Sequence, residues 1–406
     1  MARILFLTEQ LPYPLLSGSR IRNYYVLRHL AAHHQVTLLS FVRADDRPEY
    51  VTHLETFLSG VHTVPMQRSL LRNVRAVLVG LATGSPAIVA RERIKAMQVQ
   101  VRRFLASDQF DVIHVDQISM AQYGLPGCGA RVKRLLDQHD IMSQVLERLA
   151  DCEPIPWKRP LLRREARAFA RYEAQVCRRF DRVVCVTERD QQALLSRGLG
   201  DCAELKGRMP VIPICIDPSA VEPVASVPVP FRVTHVGTMY WPPAVEGVLW
   251  FAQAVWPLVM SQVPSARLTL IGKNPPEAIQ ALARRPGVQV LGYVEDLTPC
   301  LVETAAFIVP LHAAGGMRVK ILDAWCWGLP IASTTIGAEG ISVQNGHNIL
   351  IADGPAEFAQ AVIRLLCEPE LRQRLRTAGR RWVGAHYDWR RNYAAWDEVY
   401  AGLVHE

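Results

Sequence analysis

The sequence predicts an α/β protein built from two doubly wound parallel sheets. Apolar runs of strand length, such as Arg3–Thr8 and Arg267–Ile271, alternate with longer amphipathic stretches along most of the chain. The stretch Pro218–Pro230 is rich in proline and small residues, which is typical of a linker between domains. A chain of 406 residues is long enough for two such domains, each with its own core.

The composition is that of a globular chain with a basic excess. Hydrophobic residues make up 50% of the chain. Its formal net charge of +8 indicates either partners such as nucleotides, polyanions or anionic lipid headgroups, or a basic surface without a partner. No apolar run approaches the roughly 20 residues of a membrane span. The N-terminus predicts a first strand rather than a signal peptide. Nine scattered cysteines without a CxxC pair predict reduced cytosolic thiols, with neither a disulfide framework nor a zinc site.

The first domain opens with strand Arg3–Thr8, a loop containing Gly18, and a helix that Ser17 or Ser19 caps. The GxGxxG pattern is absent, so no dinucleotide cofactor is predicted. The further strands that we expect are Val36–Phe41, Val61–Val64, Asp111–Val115, Arg131–Leu136 and Val211–Asp217. The helices that we expect are Arg47–Leu58, Ser69–Leu81, Arg91–Leu105 and Trp157–Arg182.

Polar residues follow two of these strands directly. Asp116 ends one, and Asp137, His139 and Asp140 follow the next. Ligands of open parallel sheets lie at the carboxyl ends of the strands. A neutral imidazole offers both a donor and an acceptor, so His139 either contacts a ligand or satisfies local backbone groups.

Three helices of the first domain are basic. The helices Ser69–Leu81 and Arg91–Leu105 are rich in arginine and amphipathic, so each is either a membrane-surface helix or a solvated one. The long helix Trp157–Arg182 has a basic face without interleaved exposed aromatic residues or a nucleic-acid motif. Nucleic-acid binding is therefore not predicted.

The second domain repeats the alternation of strands and helices. Its expected strands are Phe231–Val236, Arg267–Ile271, Val288–Leu291, Ala305–Pro310, Leu329–Ser333 and Asn348–Ile351. Its expected helices are Val245–Val259, Pro276–Arg284, Pro355–Leu366 and Glu370–His386, with a final helix at Arg391–Leu403. Short strands alternating with helices imply a parallel sheet.

The stretch Leu311–Ile341 carries the pattern of an anion site. A loop with Gly315 and Gly316 leads into a helix that has Arg318 and Lys320 near its start. Free backbone N–H groups at a helix N-terminus bind anions, and an arginine can hold a phosphate through two hydrogen bonds. The pattern indicates either a nucleotide diphosphate site or an ordinary βαβ crossover with a basic first turn.

The same stretch resembles the donor motif of the retaining glycosyltransferases of family 4, in the branch of bacterial polysaccharide and exopolysaccharide sugar transferases. The matching positions are Pro310, Leu311, Gly315, Arg318, Lys320, Leu322, Ala324, Gly328, Pro330 and Gly337–Gly340. The wider family carries two glutamates here. The second falls on Asp323 and the first on Gly315, which has no side chain, so the donor sugar must be held differently in this chain.

Other motifs of the family occur in the same order. Asp137–Asp140 fits "D-x-H-(N/D)", and Gly292–Asp296 fits "G-x-V-x-D", a loop that lies over the nucleobase in the family. Phe231–Pro243 contains "G-x-M-x-W-x-P", with Pro243 in place of the usual Asn. Val211–Asp217 lacks the Asn-Gly pair of the family's "V-I-P-N-G-V-D".

The resemblance implies a GT-B fold, in which two Rossmann-like, doubly wound domains face each other across a cleft. Residues 1–218 would bind the acceptor, residues 219–388 would bind the nucleotide-sugar donor, and the helix in 389–406 would pack back on the first domain. Catalytic roles fall on His139, Arg318 and Lys320. The residues implied in donor binding are Gly18, Gly237, Thr238, Val294, Gly315, Gly316, Met317, Asp323 and Glu339. Asp323 and Glu339 would make ribose or loop-anchoring contacts, and Glu339 has a structural alternative, the capping of the peptide at Gly340.

The activity implied is the metal-independent transfer of a hexose from a nucleotide-diphosphate sugar, of the UDP or GDP type, with retention of anomeric configuration. No cofactor or metal ligand is implied beyond that co-substrate. The acceptor would be a glycan, a lipid-linked glycan or a small molecule. The protein would be cytoplasmic, with contact to the inner face of the membrane left open. A nucleotide-sugar epimerase and a catalytically degenerate nucleotide-binding scaffold stay as alternatives, and the nucleoside, sugar, acceptor and linkage stay open.

Overall fold

The computed structural model describes residues 1–67, 69–107, 109–125, 132–196, 202–225 and 231–404, without the side chains of residues 202–204. The chain divides into two compact units. Residues 1–147, 157–215 and 389–406 form the first unit, and residues 148–156 and 216–388 form the second. The short segment 148–156, which the sequence analysis places in the first domain, thus belongs with the second unit.

In the first unit, strands form a parallel sheet of the doubly wound type. The strands are β1 (Arg3–Thr8), β2 (Gln35–Val42), β3 (Gly60–Pro65), β4 (Val112–Asp116), β5 (Lys133–Gln138) and β6 (Arg182–Cys185). Their order is β3-β2-β1-β4-β5-β6, and every pair is parallel. The order of strands reverses between β1 and β4, which makes their carboxyl ends the switch point where such folds bind ligands.

Helices cover this sheet. They are α1 (Gly18–Ala31), α2 (Pro48–Glu55), α3 (Leu70–Thr83), α4 (Ala87–Arg91), α5 (Lys95–Leu105), α6 (Ala121–Gly124), α7 (Met142–Cys152), α8 (Lys158–Cys177), α9 (Glu188–Leu195) and α10 (Cys202–Gly207). The last turns of α7 belong to the second unit. Of the two candidate caps of α1, Ser17 is the N-cap, because its Oγ accepts a hydrogen bond from the Arg20 N–H.

The second unit has a parallel sheet of the same kind. Its strands are β7 (Arg232–Val236), β8 (Arg267–Ile271), β9 (Val288–Gly292), β10 (Thr304–Val309), β11 (Ile331–Ser333) and β12 (Leu350–Ile351), in the order β12-β11-β10-β7-β8-β9. All six residues of β10 are buried, as expected of a strand covered by helices on both faces. The switch point lies between β7 and β10.

The helices of the second unit are α11 (Pro242–Trp250), α12 (Trp256–Gln262), α13 (Glu277–Gln280), α14 (Thr298–Val302), α15 (Val319–Cys326), α16 (Pro355–Cys367) and α17 (Pro369–His386). A π-helical turn, Phe251–Val255, joins α11 to α12. Two C-terminal helices, α18 (Trp389–Asn392) and α19 (Ala395–Val404), belong to the first unit. Within that unit the hydroxyl oxygen of Tyr400 on α19 lies 2.7 Å from Nδ1 of His114 on β4.

Among the described residues, one helical run is long and apolar enough to cross a membrane. This run, Pro242–Gln262, comprises α11, the π-turn and α12, and 44% of its apolar window is buried. The sequence analysis did not single it out. Val248, Phe251 and Val255 on this run lie in the hydrophobic core of the second unit, so we interpret the run as a core helix of that unit.

Several elements differ from the sequence expectations. Val211–Asp217 is not a strand and makes only isolated bridges, because Pro210 and Pro213 have no N–H to donate to a ladder. The helix expected at Arg91–Leu105 begins only at Lys95, as α5, and Arg91 is the last residue of the preceding short helix α4. The π-turn divides the expected helix Val245–Val259, and the final helix is divided between α18 and α19. The first residue of the expected strand Arg131–Leu136 lies outside the described residues.

Candidate functional site

The predicted donor residues of the second unit all follow strands at one edge of its sheet. Gly237 and Thr238 follow β7, and the glycine loop Gly315–Arg318 follows the neighbouring strand β10. Val294 follows β9, and Glu339 lies in the loop after β11. The carboxyl ends of parallel strands lie at the same edge, and the residues after β7 and β10 flank the switch point. Val294 follows β9, which is two strands away from β7 at the side of the sheet.

The glycine loop ends at the N-terminus of α15. Gly316 has a φ of +61°, a conformation that glycine adopts without strain. Arg318 is the N-cap residue of α15, which no side chain caps, and Lys320 is its second residue. The buried Arg318 guanidinium donates from Nη2 to the carbonyl of Gly316, so it braces the loop. Met317, which precedes it, is buried as well.

A lysine and a histidine converge on Gly237. A Cβ atom added to Gly237 would lie 2.7 Å from Lys320 Nζ and 3.0 Å from His235 Nε2. The fully buried His235 sits on β7, with its Nδ1 2.9 Å from the carbonyl oxygen of Ile308. A carbonyl only accepts, so Nδ1 carries the proton and Nε2 is left as an acceptor. Nε2 has no hydrogen-bond partner among the described atoms. Glycine at position 237 thus makes room for both groups.

Burial sets the charges of this cluster. Burial, and then the charge of Lys320, lowers the pKa of His235 to about 3, so this imidazole is neutral. Burial and the charge of Arg318 lower the pKa of Lys320 to about 8, although Asp323 partly opposes them. Burial raises the pKa of Asp323 to about 7 against the effect of Lys320. Near neutral pH the cluster therefore carries a lysine and an aspartate that both lie close to titration.

Glu339 is engaged by an arginine within the second unit. Arg148 on α7 donates to both carboxylate oxygens of Glu339, at 2.6 and 3.1 Å. The same guanidinium donates to the carbonyl of Ala314 at the start of the glycine loop. Arg148 thus ties the loop after β10 to the loop after β11. This contact matches the loop-anchoring alternative for Glu339.

The first unit has a buried ionic cluster at its own switch point. His139 Nε2 lies 3.1 Å from Asp116 Oδ1 and 3.4 Å from Asp137 Oδ2. Arg22 on α1 holds Asp137 from Nε and Nη2, both at 2.7 Å. These four side chains are buried. Gly18, the remaining predicted residue of this unit, is the first residue of α1 and follows β1.

Burial and the neighbouring charges together shift the pKa values within this cluster. Burial raises the pKa of Asp116 to about 6, although His139 lies beside it. Burial acts in the same direction on Asp137, but the Arg22 guanidinium outweighs it and holds the pKa of that carboxyl well below its usual range. Burial lowers the pKa of His139, but the Asp116 and Asp137 carboxylates outweigh it and raise that pKa above its ordinary value. The raised pKa favours the imidazolium form of His139, whose Nδ1 is buried and without a hydrogen-bond partner among the described atoms.

Sequence reasoning missed three residues of these clusters. His235 lies within β7, two residues before Gly237, and the sequence pattern predicts no more for it than a strand position. Arg22 falls on the inward face of α1, where a charge is unusual in a fully buried position. Arg148 lies 191 residues from Glu339 along the chain, so no local pattern connects them.

Two further features of the described residues concern other kinds of site. In that part of the chain no group of three or more His, Cys, Asp or Glu side chains is arranged to hold a metal ion. A surface depression of about 800 Å³ runs along α17, where Arg374, Arg381 and Trp382 are among its lining residues. None of the predicted site residues lines it. We therefore place the candidate site at the two switch points rather than in this depression.

The family comparisons match both units. The family model described as Glycosyltransferase Family 4 matches residues 16–220, and the model described as Glycosyl transferases group 1 matches residues 230–368. The chain belongs to glycosyltransferase family 4.

Two curated relatives of this family member match it in part. A 44.6 kDa protein from the cps region of Klebsiella pneumoniae, described as uncharacterized, is 26% identical over 140 residues, which is 32% of this chain and 36% of that protein. A GDP-mannose-dependent alpha-(1-6)-phosphatidylinositol monomannoside mannosyltransferase of Mycobacterium tuberculosis is 28% identical over 148 residues, 33% of this chain and 38% of that enzyme. The matches span less than half of either relative.

Solved structures resemble the family 4 chain along almost its whole length. HepE from Anabaena, solved with UDP-glucose, gives a TM-score of 0.68 at 16% identity and covers 99% of this chain and 100% of its own. Sucrose-phosphate synthase from Thermosynechococcus elongatus gives a TM-score of 0.72 at 16% identity, with 99% of each chain covered. At this identity the likeness concerns the fold. Two parallel six-stranded sheets with helices on their faces are the GT-B architecture.

Proposed function

We propose that this protein is a glycosyltransferase that moves a hexose from a nucleotide-diphosphate sugar to an acceptor. The observation that carries the proposal is the cluster at the switch point of the second unit. There the glycine loop leads into the uncapped N-terminus of α15, and the Lys320 ammonium from the start of that helix lies beside Gly237. Backbone N–H groups with fixed positive charge form an anion site that suits a diphosphate.

The chemistry that we propose requires charge stabilisation on the leaving group. When the bond from the sugar to the diphosphate breaks, negative charge develops on the phosphate oxygens. Lys320 and the N–H groups at the start of α15 would bind that charge, and Arg318 would keep the glycine loop in position. These groups supply positive charge without a metal ion, which supports metal-independent transfer. Retention of anomeric configuration is part of the proposal and rests on family membership.

The first unit would contribute His139. Its imidazolium, held by two buried carboxylates, can donate a hydrogen bond to a sugar hydroxyl from Nδ1. Asp116 and Arg22 act through His139 and Asp137, so we propose them as positioning residues. Gly18 at the start of α1 keeps its predicted role in donor binding.

The donor that we propose carries UDP or GDP. HepE was solved with UDP-glucose, and the mycobacterial relative uses GDP-mannose. The acceptor would be a glycan, a lipid-linked glycan or a small molecule, handled in the cytoplasm or at the inner face of the membrane. The cps region of the Klebsiella relative is consistent with glycan synthesis.

A thermal-shift titration tests the donor site. The protein is titrated with UDP, GDP, ADP and TDP, with and without their sugars, as wild type and as the Lys320→Ala variant. A nucleotide at 100 times its dissociation constant should add about 2.7 kcal/mol of apparent stability. We expect one nucleotide to stabilise the wild type, and Lys320→Ala to lose most of that shift.

The matched control removes an exposed charge from the same sheet. Arg267 begins β8 at the opposite edge, so Arg267→Ala should keep the full shift. Stabilisation that survives Lys320→Ala would contradict the assigned donor site. Nucleotide binding with no sugar transfer to any acceptor would favour the scaffold alternative, and product formed from the donor without an acceptor would favour the epimerase.

A further inference from the structure

We propose that helix α3 is a membrane-docking surface that inserts its outer face into an anionic lipid bilayer. The six large apolar residues on this face are 49% to 83% exposed. They are Leu70, Leu71, Val74, Val77, Leu78 and Leu81. Their spacing places them along one side of a helix. Apolar residues exposed singly are normal on a protein surface, whereas a continuous row marks an interaction surface.

The orientation of α3 is fixed by its inner face. The two buried residues of α3, Ala76 and Gly80, lie on that face and are both small. A Cβ atom at Gly80 would lie 2.9 Å from the carbonyl oxygen of Ser85, so the helix packs closely at this point. Arg164 on α8 also donates to the Gly80 carbonyl at 2.5 Å. The helix thus presents its bulky apolar side outward and its small side inward, the reverse of an ordinary surface helix.

Helix α5 differs from α3 in the burial of its apolar side. The sequence predicts both helices as basic and amphipathic, and leaves membrane contact open for both. On α5 the apolar residues Met97, Val101 and Leu105 are buried in the core of the first unit. Only α3 of the two leaves its apolar side exposed, so α5 is a solvated surface helix and α3 is not.

The charges around α3 identify the occupant. The sequence has no Asp or Glu between Glu55 and Glu92. The adjoining helix α8 carries exposed arginines every fourth residue, at Arg159, Arg163, Arg167 and Arg171. A helix with an exposed apolar face, packed against a helix that carries exposed arginines, suits a bilayer that contains anionic lipids. A second copy of this chain would bring the same arginines against one another in a two-fold dimer, which disfavours self-association.

Cosedimentation of the full chain with vesicles tests the proposal. The vesicles are phosphatidylcholine alone or an equimolar mixture with phosphatidylglycerol. We expect the wild type to bind the mixed vesicles more tightly than the neutral ones. The variant Leu71→Ser/Leu78→Ser should bind at least about tenfold more weakly, because two leucines no longer leave water. The variant Arg163→Gln/Arg167→Gln should lose about fivefold per arginine on anionic vesicles only.

Two controls keep the test specific. The variant Leu258→Ser/Val404→Ser removes two apolar residues that are exposed elsewhere on the molecule, and it should bind as the wild type does. Size-exclusion chromatography of each variant monitors self-association. Failure of the wild type to bind would overturn the proposal, as would unchanged binding of Leu71→Ser/Leu78→Ser. A wild type that is dimeric and a Leu71→Ser/Leu78→Ser variant that is monomeric would also overturn the proposal, because the apolar face would then bind a second copy of the chain. Vesicle binding needs no turnover, so its outcome is independent of the nucleotide titration.

Discussion

At the scale of single residues, burial determines which ionisable groups can change charge near neutral pH. Lys320, Asp323, Asp116 and His235 have pKa values of about 8, 7, 6 and 3, and desolvation is the largest cause in each case. Three of these four lie within the ordinary working range of an enzyme. Perturbed groups that cluster at a switch point are characteristic of functional sites.

The first prediction concerns the pH dependence of nucleotide binding. Only the protonated Lys320 attracts a diphosphate, and its pKa of about 8 means that the ammonium is lost as the pH rises through that value. Affinity for the nucleotide should therefore fall about tenfold between pH 7 and about pH 9. Calorimetric titration across this range measures it. The Lys320→Arg variant keeps its charge, so its affinity above pH 8 should stay flat, and a parallel fall in both proteins would rule out Lys320 as the group.

The second prediction concerns His235, which we infer to be a positioning residue for Lys320. Its Nε2 offers an acceptor beside the ammonium, and His235→Phe removes that acceptor while keeping a ring. Because the charged lysine then loses a stabilising neighbour, the midpoint of the pH profile should move to lower pH.

The control for His235 is a second buried, neutral histidine. Burial lowers the pKa of His114 in the first unit to about 3, as it does for His235. The variants His235→Phe and His114→Phe should each lower the free energy of unfolding by about 1–3 kcal/mol, because each loses a buried hydrogen bond. Only His235→Phe should move the pH midpoint. Equal effects of the two variants on that midpoint would show that His235 has a structural role alone.

The third prediction concerns the buried pair of Arg22 and Asp137, whose side chains are both 0% exposed. Arg22→Met leaves the Asp137 carboxylate without its partner and should cost about 3–5 kcal/mol of unfolding free energy. Arg3 and Asp111 form an exposed pair at 2.9 Å, which water screens, so Arg3→Met should cost far less than Arg22→Met. Urea denaturation compares the two variants. Similar losses would mean that the buried pair contributes little to the first unit.

At the scale of secondary-structure elements, the site depends on loops that follow strands and on what holds those loops. Arg318 braces the glycine loop from within. Arg148, from the last turns of α7, joins the same loop to Glu339 after β11. A rigid scaffold with tied loops reduces the ordering cost of binding a ligand.

The fourth prediction follows from this tie. Arg148→Lys keeps the charge but loses the planar fork, which makes two hydrogen bonds to Glu339. We expect the KM for the donor to rise about tenfold, equivalent to about 1.4 kcal/mol, with a smaller change in kcat. Steady-state kinetics measure both.

The control for Arg148 is an arginine with the same geometry on the surface. Arg364 holds Glu368 through two bonds of 3.0 and 3.3 Å on an exposed face of α16. Arg364→Lys should leave the KM for the donor unchanged. An Arg148→Lys enzyme with the KM of the wild type would show that the tie does not shape the donor site.

At the scale of the whole molecule, each unit builds its cluster at the switch point of its own sheet. The likeness to HepE covers 99% of this chain at 16% identity, so the architecture tolerates extensive change in sequence. Fold likeness of this kind does not fix a substrate.

The fifth prediction is that transfer proceeds with retention and without added metal. In the reaction that we propose, Lys320 and the helix N-terminus would supply the positive charge that the leaving diphosphate needs. Dialysis against a chelator should therefore leave kcat unchanged, and proton NMR of the first product should show the anomeric configuration of the donor. An activity that the chelator removes and a divalent ion restores would contradict metal independence, and an inverted product would contradict retention.

The sequence by itself determined the architecture of this protein. Apolar runs of strand length separated by amphipathic stretches are local signals, and they give two parallel α/β sheets because each element must bury one face. The sequence also predicts which residues lie in loops at the carboxyl ends of strands, because these residues directly follow the strands along the chain. The glycine loop Gly315–Arg318, His139 and Asp137 were found in this way.

Only the tertiary structure decided which distant groups meet and which faces remain uncovered. The contacts of Arg22 with Asp137 and of Arg148 with Glu339 join residues 115 and 191 positions apart. The proximity of His235 to Lys320 depends on the pairing of β7 with β10. The sequence likewise predicts two similar basic helices, α3 and α5, because a helical pattern does not say which side packs inward. Burial, charge state and exposure are properties of the packed chain, so they follow from the neighbours that folding supplies.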